Sequence, residues 1–343
     1  MYFKNFLLRA AAIAGLSLVP LAATAQTAPT GELAVGVPKG VKLVIADDAN
    51  YVAKLLELSG EQEKLAADVS YANFTSGPLR LEAIRAGAAQ VGAVGDVPPI
   101  LAQYSGANVV IVGAVVTSGA GTLLATSPGS GIKTLADLKG KKIGINVGTA
   151  QQATVLRNLK AAGLAITDIQ PINLGLAEFA DALRAGQIDA AVLKQPDRTR
   201  YLNSVKGQGD ARALDNAPGA NTNIKYLYAS VSALQDPAQA AAIRDFVVHW
   251  YRAHLWKNAH RDIWVNEYLV KNQRLKDEDA ALVWESEGDA TSIPGLAKLV
   301  PIQQETTDLL QAGGSFKGKT LDAKEQFDLR YQALNERSPA AND

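Results

Sequence analysis

No cysteine occurs anywhere in the 343 residues. The absence excludes disulfide staples, a thiolate nucleophile, a cysteine-based zinc site and a lipid-modified N-terminal cysteine. A chain of this length does without staples, because at roughly 150 residues per domain it can bury two sizeable cores. An excess of charge is missing too, since 34 basic residues face 34 acidic ones. Such a chain has no general electrostatic attraction to nucleic acid or to an acidic membrane, so any anion it binds must be held by local groups. No Gly-x-Ser-x-Gly elbow occurs, and the glycine-rich stretch 119–131 lacks the lysine of a phosphate-binding loop. The three histidines, His249, His254 and His260, are spaced five and six residues apart. Neither spacing puts two of them on one helix face, so neither a metal site nor a cofactor is expected.

The only long apolar run is at the start. Lys4 and Arg9 precede the apolar stretch 10–19, Pro20 breaks it, and Ala23-Thr24-Ala25 has the small-x-small pattern of a signal peptidase site. The stretch is well short of the roughly 20 residues that a spanning helix needs. Residues 1–25 are therefore expected to be a cleaved signal peptide, with export to the periplasm and a mature chain from Gln26. Losing Lys4 and Arg9 leaves 32 basic against 34 acidic residues, a net charge of −2.

From Gly31 onward, short apolar and β-branched runs alternate with helical periodicity. Strands are expected at 33–37, 69–74, 90–94 and 109–116, with helices at 78–86 and 97–103. Ser118-Gly119-Ala120-Gly121 interrupts the rhythm, which then restarts with strands at 123–126, 142–146, 170–174 and 188–193. Helices are expected between them at 134–138, 151–161 and 177–185. A second turn-rich stretch, 215–223, precedes a strand at 224–231, and helices follow at 238–259, 262–271, 277–285 and 322–335. The expectation is an α/β fold of two lobes. Lobe 1 comprises 31–118 and 224–343, lobe 2 comprises 119–223, and two doubly wound, mostly parallel sheets are joined by a hinge crossed twice. Ligands of such sheets bind beyond the carboxyl ends of the strands, which places a cleft between the lobes.

The candidate ligand groups are the junctions where strands run into helix starts. Gly148, Thr149, Ala150 and Gln151 follow one strand in lobe 2, and Ser76, Gly77 and Pro78 follow another in lobe 1. Unpaired N–H groups and the positive end of the helix dipole suit an oxyanion at either, although plain helix capping explains each one alone. Gly95 and Asp96 form a third junction, where Asp96 reads as a structural cap or as a partner for a cationic ligand group. Lys194 and Gln195 end the last strand of lobe 2, where Lys194 either neutralises an anion or is simply solvated.

These residues carry a resemblance. The runs Phe74-Thr75-Ser76-Gly77-Pro78 and Gly95-Asp96-Val97-Pro98-Pro99-Ile100, with the stretch 132–143 and Asp168-Ile169-Gln170-Pro171, resemble substrate-binding proteins of ABC importers for aliphatic sulfonates. That group is related to nitrate- and taurine-binding proteins. The resemblance implies a two-lobed periplasmic binding protein, a monomer that captures an alkanesulfonate-like anion and delivers it to an inner-membrane permease. It adds the loop 38–41, with Lys39, to the site. This chain departs from the pattern at Thr149-Ala150-Gln151, where the family carries several serines, and at Lys194-Gln195, where it carries an aromatic-acidic pair. A distant enzymatic branch, the sulfinate desulfinases, uses a cysteine nucleophile that is absent here. A secreted enzyme or a sensor domain on the same scaffold, acting on or sensing a small anion, is the alternative.

Overall fold

The computed structural model describes residues 31–316 and 318–336; the expected signal peptide and the tail 337–343 lie outside them. In the first half of the chain the elements are β1 (Lys42–Asp47), α1 (Tyr51–Leu58), β2 (Asp68–Asn73), α2 (Gly77–Arg85), β3 (Val91–Val94), α3 (Val97–Ser105) and β4 (Val109–Thr117). Then follow β5 (Thr122–Thr126), β6 (Lys142–Ile145), α4 (Ala150–Ala161), β7 (Gln170–Asn173), α5 (Phe179–Arg184), β8 (Ala190–Lys194), α6 (Asp197–Ser204) and β9 (Ala213–Leu214). The chain ends through β10 (Ile224–Ser230), α7 (Val231–Gln235), α8 (Pro237–Ala259), α9 (Arg261–Ile263), α10 (Asp277–Glu287), β11 (Thr291–Ser292), α11 (Leu296–Ala312) and α12 (Gln332–Glu336). Among the described residues no helix is long and apolar enough to cross a membrane.

Two sheets form, and this is the two-lobed α/β architecture that the alternation of strand and helix patterns implied. One has the order β11-β4-β10-β3-β1-β2, the other β7-β6-β8-β5-β9. In the first sheet β1 sits between β2 and β3, parallel to both. In the second, β6 sits between β7 and β8 in the same way. Each is a topological switch point, where the crossovers diverge and leave a crevice at the strand ends. The sheets are mixed, because the strands entered from the other lobe run backwards. β10 is antiparallel to β3 and β4, and β5 is antiparallel to β8 and β9.

The first strand corrects the sequence expectation. Residues 33–37 form no strand, although Leu33, Val35 and Val37 alternate; Val35 is 71% exposed. The strand is Lys42–Asp47, whose Leu43, Ile45 and Ala46 are fully buried between two partners. Alternation alone cannot tell which of two nearby runs a sheet will accept. The helix α11 was also missed, since Pro301 lies inside it and proline is normally a break. The expected helix at 322–335 is two short 3₁₀ turns followed by α12.

The large core of the first lobe packs α8 and its neighbours on the six-stranded sheet through Trp250, Phe246, Tyr226, Tyr228 and Trp264. A second cluster joins Val97 and Ile100 of α3 to Val155 and Leu159 of α4 and Leu310 of α11, so α11 packs across both lobes. The histidines are structural. His260 stacks on Trp256, and His249 bonds Glu61 at 2.6 Å. Hydrogen bonding to Asp245, with Glu61 beside it, holds His249 above the ordinary histidine value despite burial. His254 is fully buried beside Trp250 and Tyr51, and burial, helped by Lys225 and Lys257, pushes it well below 6.5. The two act in opposite senses. His249 contributes stability that is complete below pH 6.5 and is lost as pH rises through its raised value. His254 is neutral when folded and takes a proton only when unfolded, so it costs stability as pH falls below 6.5, by up to about 1.4 kcal/mol per pH unit. Urea unfolding between pH 7 and 5 should therefore show a fall in stability that His254→Leu reduces. An unchanged slope in that variant would place the acid sensitivity elsewhere.

Candidate functional site

A cavity of about 420 Å³ opens between the two sheets, at the switch point of the first and beside β8 and β5 of the second. The ends of β1 and β3 supply Asp47, Asp48, Val94 and Gly95, and the end of β8 supplies Lys194, Gln195 and Pro196. The reversed strands contribute Thr122 at the start of β5 and Lys225 near the start of β10. Beyond the sheets, Tyr268 and Leu269 come from the π-helical segment Trp264–Asn272, and Val283 and Glu287 come from α10. Part of the lining is thus apolar, from Val52, Leu269, Leu275 and Val283. The floor is strongly charged.

Asp47 shows why the floor is rigid. Its buried carboxylate accepts from the backbone N–H groups of Asp48, Val52 and Ala53 at 2.7, 2.9 and 3.0 Å, which ties the end of β1 to the first turn of α1. Burial pushes that carboxyl above its ordinary value against the pull of those donors. Arg80, on α2, is buried. Its Nη1 donates to the Phe74 carbonyl at 2.9 Å and lies 3.3 Å from Asp48, while its Nε has no acceptor. The Lys225 ammonium lies 3.5 Å from the centre of the Tyr51 ring, and Tyr51 meets Trp264 and Tyr268 edge-on. Behind the floor the buried Lys257 pairs with Glu287. Burial alone would lower Lys257, but Glu287 and Tyr51 hold it above the usual lysine range. Burial likewise opposes Glu287, and Lys257, Lys225 and Lys194 overcome it and hold that carboxyl below its ordinary value.

The crossings between sheets flank this cavity. Ser118, Gly119 and Gly121 donate backbone N–H groups to the carbonyls of Ala290, Glu287 and Ser286 at 2.9, 2.9 and 2.7 Å. On the other side, Asn221 donates its side-chain amide to the Ala120 carbonyl, and Asn223 to that of Gly119. The first crossing is therefore held between the end of α10 and the second crossing.

The residues singled out from sequence divide into groups. Gly95, Lys194 and Gln195 line the cavity, with the Gln195 Oε1 accepting from Thr199 N at 3.2 Å. Ser76 is the N-cap of α2 and accepts from Leu79 N at 3.4 Å. Gly77 admits Pro98 rather than a ligand, since a Cβ there would lie 2.6 Å from the Pro98 Cγ. Gly148 has φ +85°, and a Cβ on it would lie 2.6 Å from Leu101 and 3.4 Å from Pro78; likewise one on Gly95 would lie 3.1 Å from Ala150. The two helix starts therefore meet through small residues beside the cavity, with Ala150 and Gln151 half-buried in α4. Thr149 stands at the N-cap of α4 without a capping bond. Its hydroxyl donates to the Asn146 carbonyl at 2.8 Å, and Gln152 Oε1 instead accepts from Gly148 N at 2.8 Å.

Two expectations are corrected. Lys39 is exposed ahead of β1, at the end of the sheet opposite the cavity, because the strand begins at Lys42 and not at Leu33. Asp96 makes no capping bond. Its buried carboxylate pairs with Arg157 of α4 at 2.8 Å and accepts from the Thr222 hydroxyl at 3.1 Å. Arg157 also donates to the Ala220 carbonyl at 3.3 Å and to Thr306, so the pair fastens α3, α4, α11 and the second crossing together. The residues missed from sequence include Arg80, Lys225 and Glu287, with Asp47, Asp48 and Tyr51. The available signal for Arg80 was its place four residues before the buried Ile84, which set an arginine beside an apolar stripe. Lys225 and Glu287 reach the cavity only through tertiary packing.

Comparison with known proteins agrees with this geometry. A family model described as NMT1/THI5 like matches residues 67–214. The chain is 31% identical over 300 residues to the aliphatic sulfonates-binding protein of Escherichia coli strain K12, covering 87% of this chain and 89% of that one. Among solved structures, the periplasmic aliphatic sulphonate binding protein SsuA from Escherichia coli superposes with a TM-score of 0.71 at 26% identity, over 87% of this chain and 100% of that one. The alkanesulfonate-binding protein SsuA from Xanthomonas axonopodis pv. citri bound to MOPS superposes with a TM-score of 0.70 at 25% identity, over 85% and 99%. With the ends of both sheets facing one cavity and a likeness that spans most of both chains, this protein belongs to the family of periplasmic aliphatic sulfonate-binding proteins.

Proposed function

We propose that the protein captures an organic sulfonate in the cavity between its two sheets in the periplasm and delivers it to the permease of an ABC importer. The observation that carries the reading is the floor, where Arg80 lines the cavity and the Lys225 ammonium rests on Tyr51. Both can give charge-assisted hydrogen bonds to a sulfonate head, while the apolar lining of Val52, Leu269, Leu275 and Val283 suits its organic tail. Residues 118–121 and 221–223 then act as the hinge between lobes 31–118 with 224–343 and 119–223. Lys194 and Gln195 approach the ligand from the second lobe, and Ser76 and Thr149 steady the helix starts that meet beside it. The cycle is read as binding without turnover, supported by the similarity to sulfonate-binding proteins.

An alkanesulfonate should raise the melting temperature and give a saturable calorimetric heat, with an affinity on the order of micromolar, about −8 kcal/mol. Heat with no saturation for any sulfonate, sulfate ester or nitrate would sink the reading. Enzyme-dependent release of sulfite from the ligand would replace it with catalysis.

A further inference from the structure

An anion-binding cavity has no obvious use for a carboxylate, yet Glu287 lines this one with 32% of its side chain exposed. Nor is it there to hold the hinge, because the group that receives Gly119 N is its backbone carbonyl. The charges around it supply a reason. Arg80, Lys194 and Lys225 line the cavity against Asp47, Asp48 and Glu287. The buried Lys257, paired with Glu287 from behind, is a fourth cation against three carboxylates, which leaves one positive charge. Fields in a cavity with low-dielectric walls are weakly screened, so an imbalance of a single charge discriminates between ligands.

We propose that Glu287 is a specificity-determining residue that sets the floor to one spare positive charge, so that the cavity takes singly charged organic anions and rejects dianions such as sulfate. This rests on the reading of the cavity as the sulfonate site. A monoanion brings the floor to neutrality. A dianion leaves an uncompensated negative charge beside Glu287, and a zwitterion such as taurine leaves the spare positive charge unanswered.

The test is calorimetry of the processed protein with 1-butanesulfonate, inorganic sulfate and taurine. Wild type should bind butanesulfonate at least tenfold more tightly than either competitor. Glu287→Gln, nearly isosteric, should narrow the gap between sulfate and butanesulfonate by at least tenfold. Lys257 does not line the cavity and reaches it only through its bonds to Glu287 and Tyr51, so Lys257→Met removes a cation without removing a ligand contact and should weaken both anions, sulfate more. Combining Lys257→Met with Glu287→Gln restores the balance and should return selectivity to near that of wild type, which also covers the case in which one single variant folds poorly. Butanesulfonate binding with an unchanged sulfate ratio in Glu287→Gln overturns the role of Glu287 and leaves the sulfonate reading standing. A double variant that selects no better than Glu287→Gln also overturns it, because a charge balance must be restored by compensation. Silence of wild type toward every anion overturns the ligand class, and this inference with it.

Discussion

Replacing Arg80 with alanine should weaken binding of an alkanesulfonate by about ten- to hundredfold, the worth of a lost hydrogen bond to a charged group at roughly 1.5–3 kcal/mol. Arg80 stands out among the floor cations because it is buried and already held in place by the Phe74 carbonyl and Asp48. A ligand that meets it therefore loses little to ordering the side chain. Arg80→Lys keeps the charge but not the planar fork, and should recover only part of the affinity. The alanine variant also frees the Phe74 carbonyl, so its folding must be checked by urea unfolding before affinity is compared. Wild-type affinity in cooperatively folded Arg80→Ala would move the anion head away from the floor.

A second large effect is expected on stability. Arg157 and Asp96 keep only 10% and 2% of their side chains exposed, and removing one partner of a buried pair leaves the other charge uncompensated, at a cost of about 3–5 kcal/mol. Arg157→Met retains most of the side chain's apolar bulk but strands Asp96, whose Oδ1 already has no partner. The variant should lose about that much in urea unfolding. Because Arg157 also reaches Ala220 and Thr306, the loss should come with looser coupling of the lobes, seen as faster amide exchange in α4 and the second crossing. A destabilisation under about 1 kcal/mol, on the scale of an exposed ion pair, would show that the contact is not a fastening.

Much of the fold was legible because it rests on local rules. The short apolar, β-branched stretches that became β4, β5 and β8, of nine, five and five residues, read as buried strands. Ser76 before Gly77 and Pro78 could only open a helix. The interruption at 118–121, where the rhythm restarts, marked the crossing between sheets. The first strand was misplaced because residues 33–37 and 42–47 satisfy the same local pattern, and only pairing with β2 and β3 distinguishes them. That single displacement carried Lys39 into the expected site and kept Asp47, Asp48 and Tyr51 out of it.

The sequence by itself determined the chemistry that this protein can do without: no thiol, no paired histidines and no excess of positive charge, hence an anion held by local groups. It also determined the two-lobed alternation and the small residues at the helix starts, since turn and capping preferences act over a few residues. The tertiary structure alone decided which charges share the cavity. Arg80, Lys194, Lys225 and Glu287 are far apart in the chain and meet only because the reversed strands β5 and β10 bring both sheets to one crevice. It also decided that Asp96 pairs with Arg157 rather than with a ligand. Electrostatic partnership depends on distance and burial, and neither is set until both lobes have packed.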